Sequence, residues 1–486
     1  MITLAPLDTF LIVGYFALIL AVGFLAGRRR AGADTVDYLL AGRSLTTPVF
    51  VMTLVSTWYG GILGVGEFSY LYGLSNWVVQ GVPYYIFAAV FAYLLAGRIR
   101  ATNLMTIPDK LHQSYDRKTA LLGALLTFLL MTPAPYILML AVLLQLVTGW
   151  SMLLCLVVGT GSATVYLFVG GFRADVYTDV AEFFMMFLGF AIILPFAYEK
   201  FGGWEFITSH VPPLHLTWNG GNSLQFVFVW FFSALWTLVD PAFHQRCYAA
   251  RSGTVARRGI LISILFWLFF DAMTATAGLY ARAAVPGLTQ PVMAYPLLAE
   301  VTLPSGAKGI FYVGMLATIM STLNSLAFIS ATTLGRDIVW RFRQHGGENV
   351  ETTLTQIGLI ISALLSIVLA VLIPSVVKLW YVIGTVIIPG LLIAVVTSYF
   401  DRLRVGSNYA FIGMLGGWLT SLVWLIFGWS RQLAVSDAYP LGIEPMYPGL
   451  AVSLAVWGWG MRIKKRDTAA RLRPSEGVSK QSSTTT

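Results

Sequence analysis

Charge is what this chain has least of. Only 11% of its 486 residues are Asp, Glu, Lys or Arg, against 57% hydrophobic, and the mean hydropathy is +0.76. So few polar residues cannot coat a soluble protein of this size, and the composition is that of a polytopic membrane protein. Cysteine is equally scarce. Cys155 and Cys247, the two present, fall in or at the cytoplasmic end of apolar runs, so no disulfide framework is expected. Cys/His metal spacing, a phosphate loop and a nucleophile elbow are all missing, which argues against an enzyme. The longest outer loops, about 199–223 and 430–444, are too short to hold a core of their own.

What the chain has is long apolar runs. Windows of about 20 mostly apolar residues mark thirteen candidate spans, near 7–27, 46–72, 78–97, 119–147, 151–170, 176–198, 224–243, 259–282, 308–333, 354–373, 377–400, 409–429 and 445–461. The runs are continuous rather than short and alternating, which predicts helices and not a barrel. The basic run Arg28-Arg29-Arg30 follows the first span, the reverse of a cleavable signal peptide, so that span reads as a retained anchor. With those arginines inside, the N-terminus is outside and thirteen spans leave the C-terminus in the cytoplasm. All but five of the 31 lysines and arginines then fall inside, the exceptions being Lys200, Arg282, Lys308, Lys378 and Arg431. The net charge of +9 is thus a topology signal, and nucleic acid is not needed to explain it. The polar tail after Arg473 is expected to be disordered.

Three segments break the apolar pattern. The second span carries Ser56, Thr57, Gly60, Gly61, Gly64 and Gly66, and paired glycines tolerate an unwound segment whose carbonyls can face a cavity or an ion. A small-residue packing face would read the same way. The seventh span carries Ser233, Trp236 and Thr237 and then Asp240-Pro241, where proline breaks or kinks the helix. Two interrupted helices five spans apart point to an inverted-repeat transporter with its site between the halves. The third segment, in the ninth span, places Thr318, Ser321, Thr322 and Ser325 on one helical face. Such a row is satisfied by its own turn's carbonyls, by a neighbouring helix, or by a hard cation that takes oxygen ligands.

The organisation that follows is an all-α polytopic membrane protein of about 13 transmembrane helices with a 5+5 inverted-repeat core. Residues 1–45 hold the first helix and a cytoplasmic link, 46–198 the first repeat (spans 2–6), 199–223 an extracellular loop, 224–400 the second repeat (spans 7–11), 401–462 peripheral spans 12 and 13, and 463–486 a cytoplasmic tail. Two acids inside the spans are functional candidates because a charge there is expensive. Asp179 enters the sixth span beside Glu182, whose place near a helix start suits the helix dipole, and Asp271 sits near the middle of the eighth with Thr274 one turn away. Either could serve a second cation or a proton.

The chain resembles the sodium:solute symporters, whose members have the leucine-transporter type of inverted-repeat fold. The resemblance is carried by Asp37-Tyr-Leu-Leu-Ala-Gly-Arg-Ser44, Gly66-Glu-Phe-Ser-Tyr-Leu-Tyr-Gly73, Gly170-Gly-Phe-Arg-Ala-Asp-Val-Tyr-Thr-Asp179, His244-Gln-Arg-Cys-Tyr-Ala-Ala-Arg251, and Met320-Ser-Thr-Leu-Asn-Ser325 with Arg336-Asp337. It implies a sodium ion as the cofactor, held by the carbonyls of Leu54, Thr57 and Thr318 and the hydroxyls of Ser321 and Thr322. Those ligands are neutral oxygens, which suits a metal cation better than a proton. It also implies a solute site at Ser56, Gly60, Gly61, Gln80, Ser233, Trp236 and Thr237. Some members carry an acid in place of Ser56, a charge this chain lacks. On the same reading Ser325, Ser330, Thr332 and Thr333 are left to helix packing; His244 and Arg246, placed at the cytoplasmic mouth, are expected to be structural or inner-gate residues rather than ligands.

The resulting expectation is a sodium-coupled symporter in the cell membrane, importing a small organic solute by alternating access. Its rivals are a proton-coupled carrier using Asp179 or Asp271 and a transporter-like sensor, the latter disfavoured because no output domain follows in the sequence. A sugar, an amino acid and a carboxylate all remain compatible with the expected pocket.

Overall fold

The computed structural model describes residues 2–28, 35–341, 348–373, 376–429 and 439–471. Arg29, Arg30, Arg343, Arg431 and the tail after Arg473 lie outside the described residues. Helices account for nearly all the regular structure, and the described residues hold no strand beyond an isolated parallel bridge between Leu45 and Ala250. Among the described residues ten helices are long and apolar enough to cross a membrane, or eleven with the bent pair Thr47–Trp58 and Ile62–Tyr72. The expected thirteen crossings are therefore not reached by length and composition. Met152–Thr164, in the fifth expected span, has 13 residues. Met446–Arg471, at the thirteenth, is diluted by Gly and Trp and ends in a basic run.

The breaks fall where the sequence is weakest in helix propensity. The bent pair turns by 59° across Tyr59-Gly60-Gly61. A Cβ on Gly60 would overlap the Thr322 side chain, and one on Gly61 would overlap the Trp380 ring. Glycine thus weakens the helix and also lets two neighbours come in close. The second interruption is double, giving Leu224–Ser233, Trp236–Val239 and Pro241–Ala249. Asp240 caps the last piece by accepting from the amides of Ala242 (2.7 Å) and Phe243 (3.1 Å), with Pro241 at its first position, so the proline starts a helix here. Between the expected spans 151–170 and 176–198, Gly170-Gly-Phe-Arg is a kink inside the helix Leu167–Phe201, at Gly171 with φ 53°. A Cβ there would lie 2.5 Å from the Tyr38 carbonyl oxygen, so this position requires glycine twice over.

At the centre is Ala307–Thr332, buried along almost its whole length and packed against Leu167–Phe201. Gly314 and Gly189 meet there, a Cβ on either coming within 2.8 Å of the other's Cα, the small-residue contact by which apolar helices gain van der Waals packing in lipid. Pro6–Arg28 packs on these two helices, while Ser407–Trp429 and Met446–Arg471 pack on each other and on Val376–Ser398. At one end of both broken helices, the bridge at Leu45 and Ala250 ties the lead-in of the first to the end of the second. Leu45 N–H donates to Ala249 (3.1 Å) and Arg251 N–H to Leu45 (3.0 Å).

Candidate ion and solute site

The break at Gly60 brings the last turn of Thr47–Trp58 against the hydroxyl row of the central helix. Thr322 donates to the Thr57 carbonyl oxygen at 2.6 Å, joining two of the expected sodium ligands directly. Ser321 donates at 2.6 Å to Asp179, and Thr53 also donates to Asp179. The Thr318 hydroxyl bonds its own turn at the Gly314 carbonyl (2.6 Å), which leaves only its carbonyl as a candidate ligand, as expected. Leu54 is fully buried in the same turn. Oxygen donors of the type a hard cation takes therefore converge here from both helices.

Arg246 enters this cluster, which was not foreseen. It follows the Asp240 break by six residues, and instead of lining a cytoplasmic mouth it has no exposed surface. Its Nη2 lies 2.6 Å from the Thr57 hydroxyl, 2.7 Å from Ser325, and 3.1 Å from both Thr53 and Asp179. Asp175, also fully buried, is 3.6 Å away and accepts from Ser325 at 2.7 Å. Ser325 is accordingly part of a charged network rather than simple helix packing. Asp175 and Asp179 are four residues apart on one helical face, a spacing that signals a shared partner. The partner itself is fixed only by tertiary structure. Glu182 is likewise not at a helix start: it lies deep in Leu167–Phe201 and accepts from Tyr15 at 3.0 Å.

Beside the cluster is a cavity of about 170 Å³, walled by both broken helices, by Trp77–Ala101 and Gly253–Ala284, and by Val376–Ser398. Of the expected solute residues it is lined by Gly61, Gln80, Ser233 and Trp236, and also by Thr57 and Thr322. Ser56, Gly60 and Thr237 are not on its wall. The Ser56 hydroxyl bonds its own turn at Met52 (2.9 Å), Gly60 backs onto Thr322, and Thr237 is buried. Trp236 turns its indole N–H to Asp240 at 3.0 Å. Asp271 is on the wall, and its two carboxylate oxygens accept from the hydroxyls of Tyr59 and Tyr85. Eleven of the 26 lining residues are aromatic. Trp380 is one that sequence reasoning missed, and its ring covers Gly61 and Gly64.

Two interrupted membrane helices, a buried hydroxyl-bearing helix between them and a shared cavity define a secondary transporter. The profile of the Sodium:solute symporter family matches residues 38–417, and the chain belongs to that family. It is therefore a multi-pass membrane transporter and not an enzyme. Among curated relatives, the sodium/pantothenate symporter of Escherichia coli is 26% identical over 93% of this chain and 95% of its own length. The high-affinity choline transporter 1 of Caenorhabditis elegans is 26% identical over 86% of this chain and 77% of its own. The fold is shared with a Na+-coupled sialic acid symporter of known structure, at a TM-score of 0.78 and 16% identity over 98% of this chain and 99% of that one.

Proposed function

We propose that this symporter binds one sodium ion among the carbonyls of Leu54, Thr57 and Thr318 and the hydroxyls of Ser321 and Thr322, and carries its solute in the adjacent cavity. The observation that carries the reading is the 2.6 Å contact of Thr322 with the Thr57 carbonyl, made by two residues that also line the cavity. An ion drawing those two groups together acts on the broken helix that forms the cavity wall, so ion and solute favour the same arrangement and each raises the other's affinity. Sodium entering down its gradient then drives solute inward as the bundle that carries both broken helices, one from each proposed repeat (46–198 and 224–400), rocks about the site. One charge crossing 100 mV supplies about 2.3 kcal/mol, and a tenfold ion gradient adds about 1.4 kcal/mol.

Asp179 does not supply a second ion site on this reading. The Arg246 nitrogen already sits among Thr53, Thr57, Ser325 and Asp179, where that ion would need its oxygens. The proposed orientation has the N-terminus outside and the C-terminus in the cytoplasm. Impermeant labelling of a single cysteine introduced at Lys200, in a Cys155 and Cys247 replaced background, is expected from the outside only.

The sodium assignment is tested with Ser321→Ala and Thr322→Ala in sodium-driven uptake into proteoliposomes. Each is expected to raise the half-maximal sodium concentration about tenfold or more, the loss of one ion-bound oxygen being worth at least 1.4 kcal/mol. Solute affinity at saturating sodium should change less. Unchanged sodium dependence in both variants removes the assignment.

A further inference from the structure

Asp271 presents a charge problem that the ion site does not solve. It lies in the membrane-crossing helix Gly253–Ala284, only 9% exposed, and opens onto the cavity. Both oxygens accept phenol hydrogens, from Tyr59 and Tyr85, an arrangement that an acceptor-only carboxylate satisfies without a further partner. Among the described residues no Lys, Arg or His lines the cavity. Asp240, the other acid on the wall, differs: it is held by two helix amides and the Trp236 indole. Among the described residues Asp271 has no ion-pair partner. A carboxylate inside a membrane protein calls for a cation.

The surroundings decide what kind of cation. A hard cation takes a full shell of oxygens, whereas the cavity that Asp271 opens onto is walled largely by rings, Trp58, Trp267, Tyr84 and Tyr85 among them. Trp58 stands edge-on to Tyr84 with centroids 5.2 Å apart and tilts against Trp267 at 6.0 Å, so the rings form a rigid wall. The faces of Trp and Tyr carry negative potential and attract organic ammonium groups, of which the quaternary ones arrive with a thin hydration shell and no demand for fixed oxygen geometry. A cavity of about 170 Å³ has room for such a headgroup and a short chain. An anionic solute, by contrast, would meet two acids and no basic side chain.

We infer that the solute carries a cationic nitrogen, a quaternary or primary ammonium, seated between the Asp271 carboxylate and the rings around Trp58. This rests on the cavity being the solute site of the proposed symporter, and Gln80 and Ser233 are then left to recognise the polar end of the same molecule.

The test is a binding panel on the purified full-length protein, read by thermal stabilisation in sodium buffer. The probes are choline, tetramethylammonium, ethanolamine and glycine betaine, with the uncharged choline isostere 3,3-dimethyl-1-butanol. At least one cation is expected to stabilise the protein at a concentration about tenfold or more below that of the isostere. Asp271→Asn should abolish that preference, and Trp58→Leu, which leaves the carboxylate in place, should weaken it. The wild-type comparison needs no variant and is unaffected if one misfolds. No cation outperforming the isostere, or a preference that survives Asp271→Asn in folded protein, overturns the inference. The sodium reading fails on a different result: a wild-type protein that sodium alone does not stabilise.

Discussion

Replacing Arg246 by Gln puts the most weight on the least expected feature of the site. The guanidinium is 3.1 Å from one carboxylate and 3.6 Å from a second, all three groups being fully buried. At an effective dielectric near 20, each contact contributes roughly 5 kcal/mol of attraction. Burying the arginine offsets much of that, and the measured cost of breaking such a pair is about 3–5 kcal/mol, because the surviving acids are left uncompensated. Glutamine keeps part of the length and an amide donor but neither the reach of Nη2 nor the charge. The expected loss is therefore about 3–5 kcal/mol in denaturation from mixed micelles. Asp179→Asn in the same chain should recover at least about 2 kcal/mol of it, since the double variant no longer faces Arg246 with an unpaired acid. Arg246→Lys should fall between. Its ammonium is a point charge with three donors, fit for the oxygens around Nη2 but on a shorter stem. Single losses that add within about 0.5 kcal/mol would refute the pairing as the source of the stability.

Gly60→Ala is expected to abolish sodium stabilisation while the protein still assembles, because the new methyl overlaps Thr322 and pushes its hydroxyl off the Thr57 carbonyl; sodium titration of thermal stability checks it, and an unshifted titration refutes it. Asp109, on the short helix Ile107–Ser114 outside the spans, has its carboxyl pushed up by burial but held below the ordinary value overall by the Arg336 and Arg341 guanidiniums. A depressed carboxyl stabilises the fold above its unfolded value of about 4 and loses that stabilisation as pH falls through its lower folded value. Melting curves should therefore show the difference between wild type and Asp109→Asn shrinking on acidification below about pH 4.

The sequence made the breaks legible because they rest on local chemistry. Gly60-Gly61 and Asp240-Pro241 weaken or start helices by backbone preference alone, and both are seen as interruptions. Thr322 and Thr57 were paired through family resemblance, and they meet at 2.6 Å. Arg246 was misread for a physical reason. Hydropathy places an arginine at the end of a span, where most belong, and cannot see that two acids on another helix make a buried site for it. Ser56 and Thr237 sit in the right segments with side chains turned from the cavity, since a broken helix leaves the rotation of each piece to tertiary packing. The cavity's aromatic character was invisible for a related cause. Its tryptophans come from distant spans and read singly as ordinary packing or interfacial residues.

The short bridge between Leu45 and Ala250 bears on how the protein can move. Its two backbone hydrogen bonds, at 3.0 and 3.1 Å, clasp the two broken helices at one end, while Thr322 and Thr57 hold the first of them to the central helix near its break. A helix pinned at one end and latched near the other pivots like a lever. The clasp makes the inner arms of the two broken helices a single yoke, so the leverage gained by releasing the latch is delivered to both walls of the cavity at once.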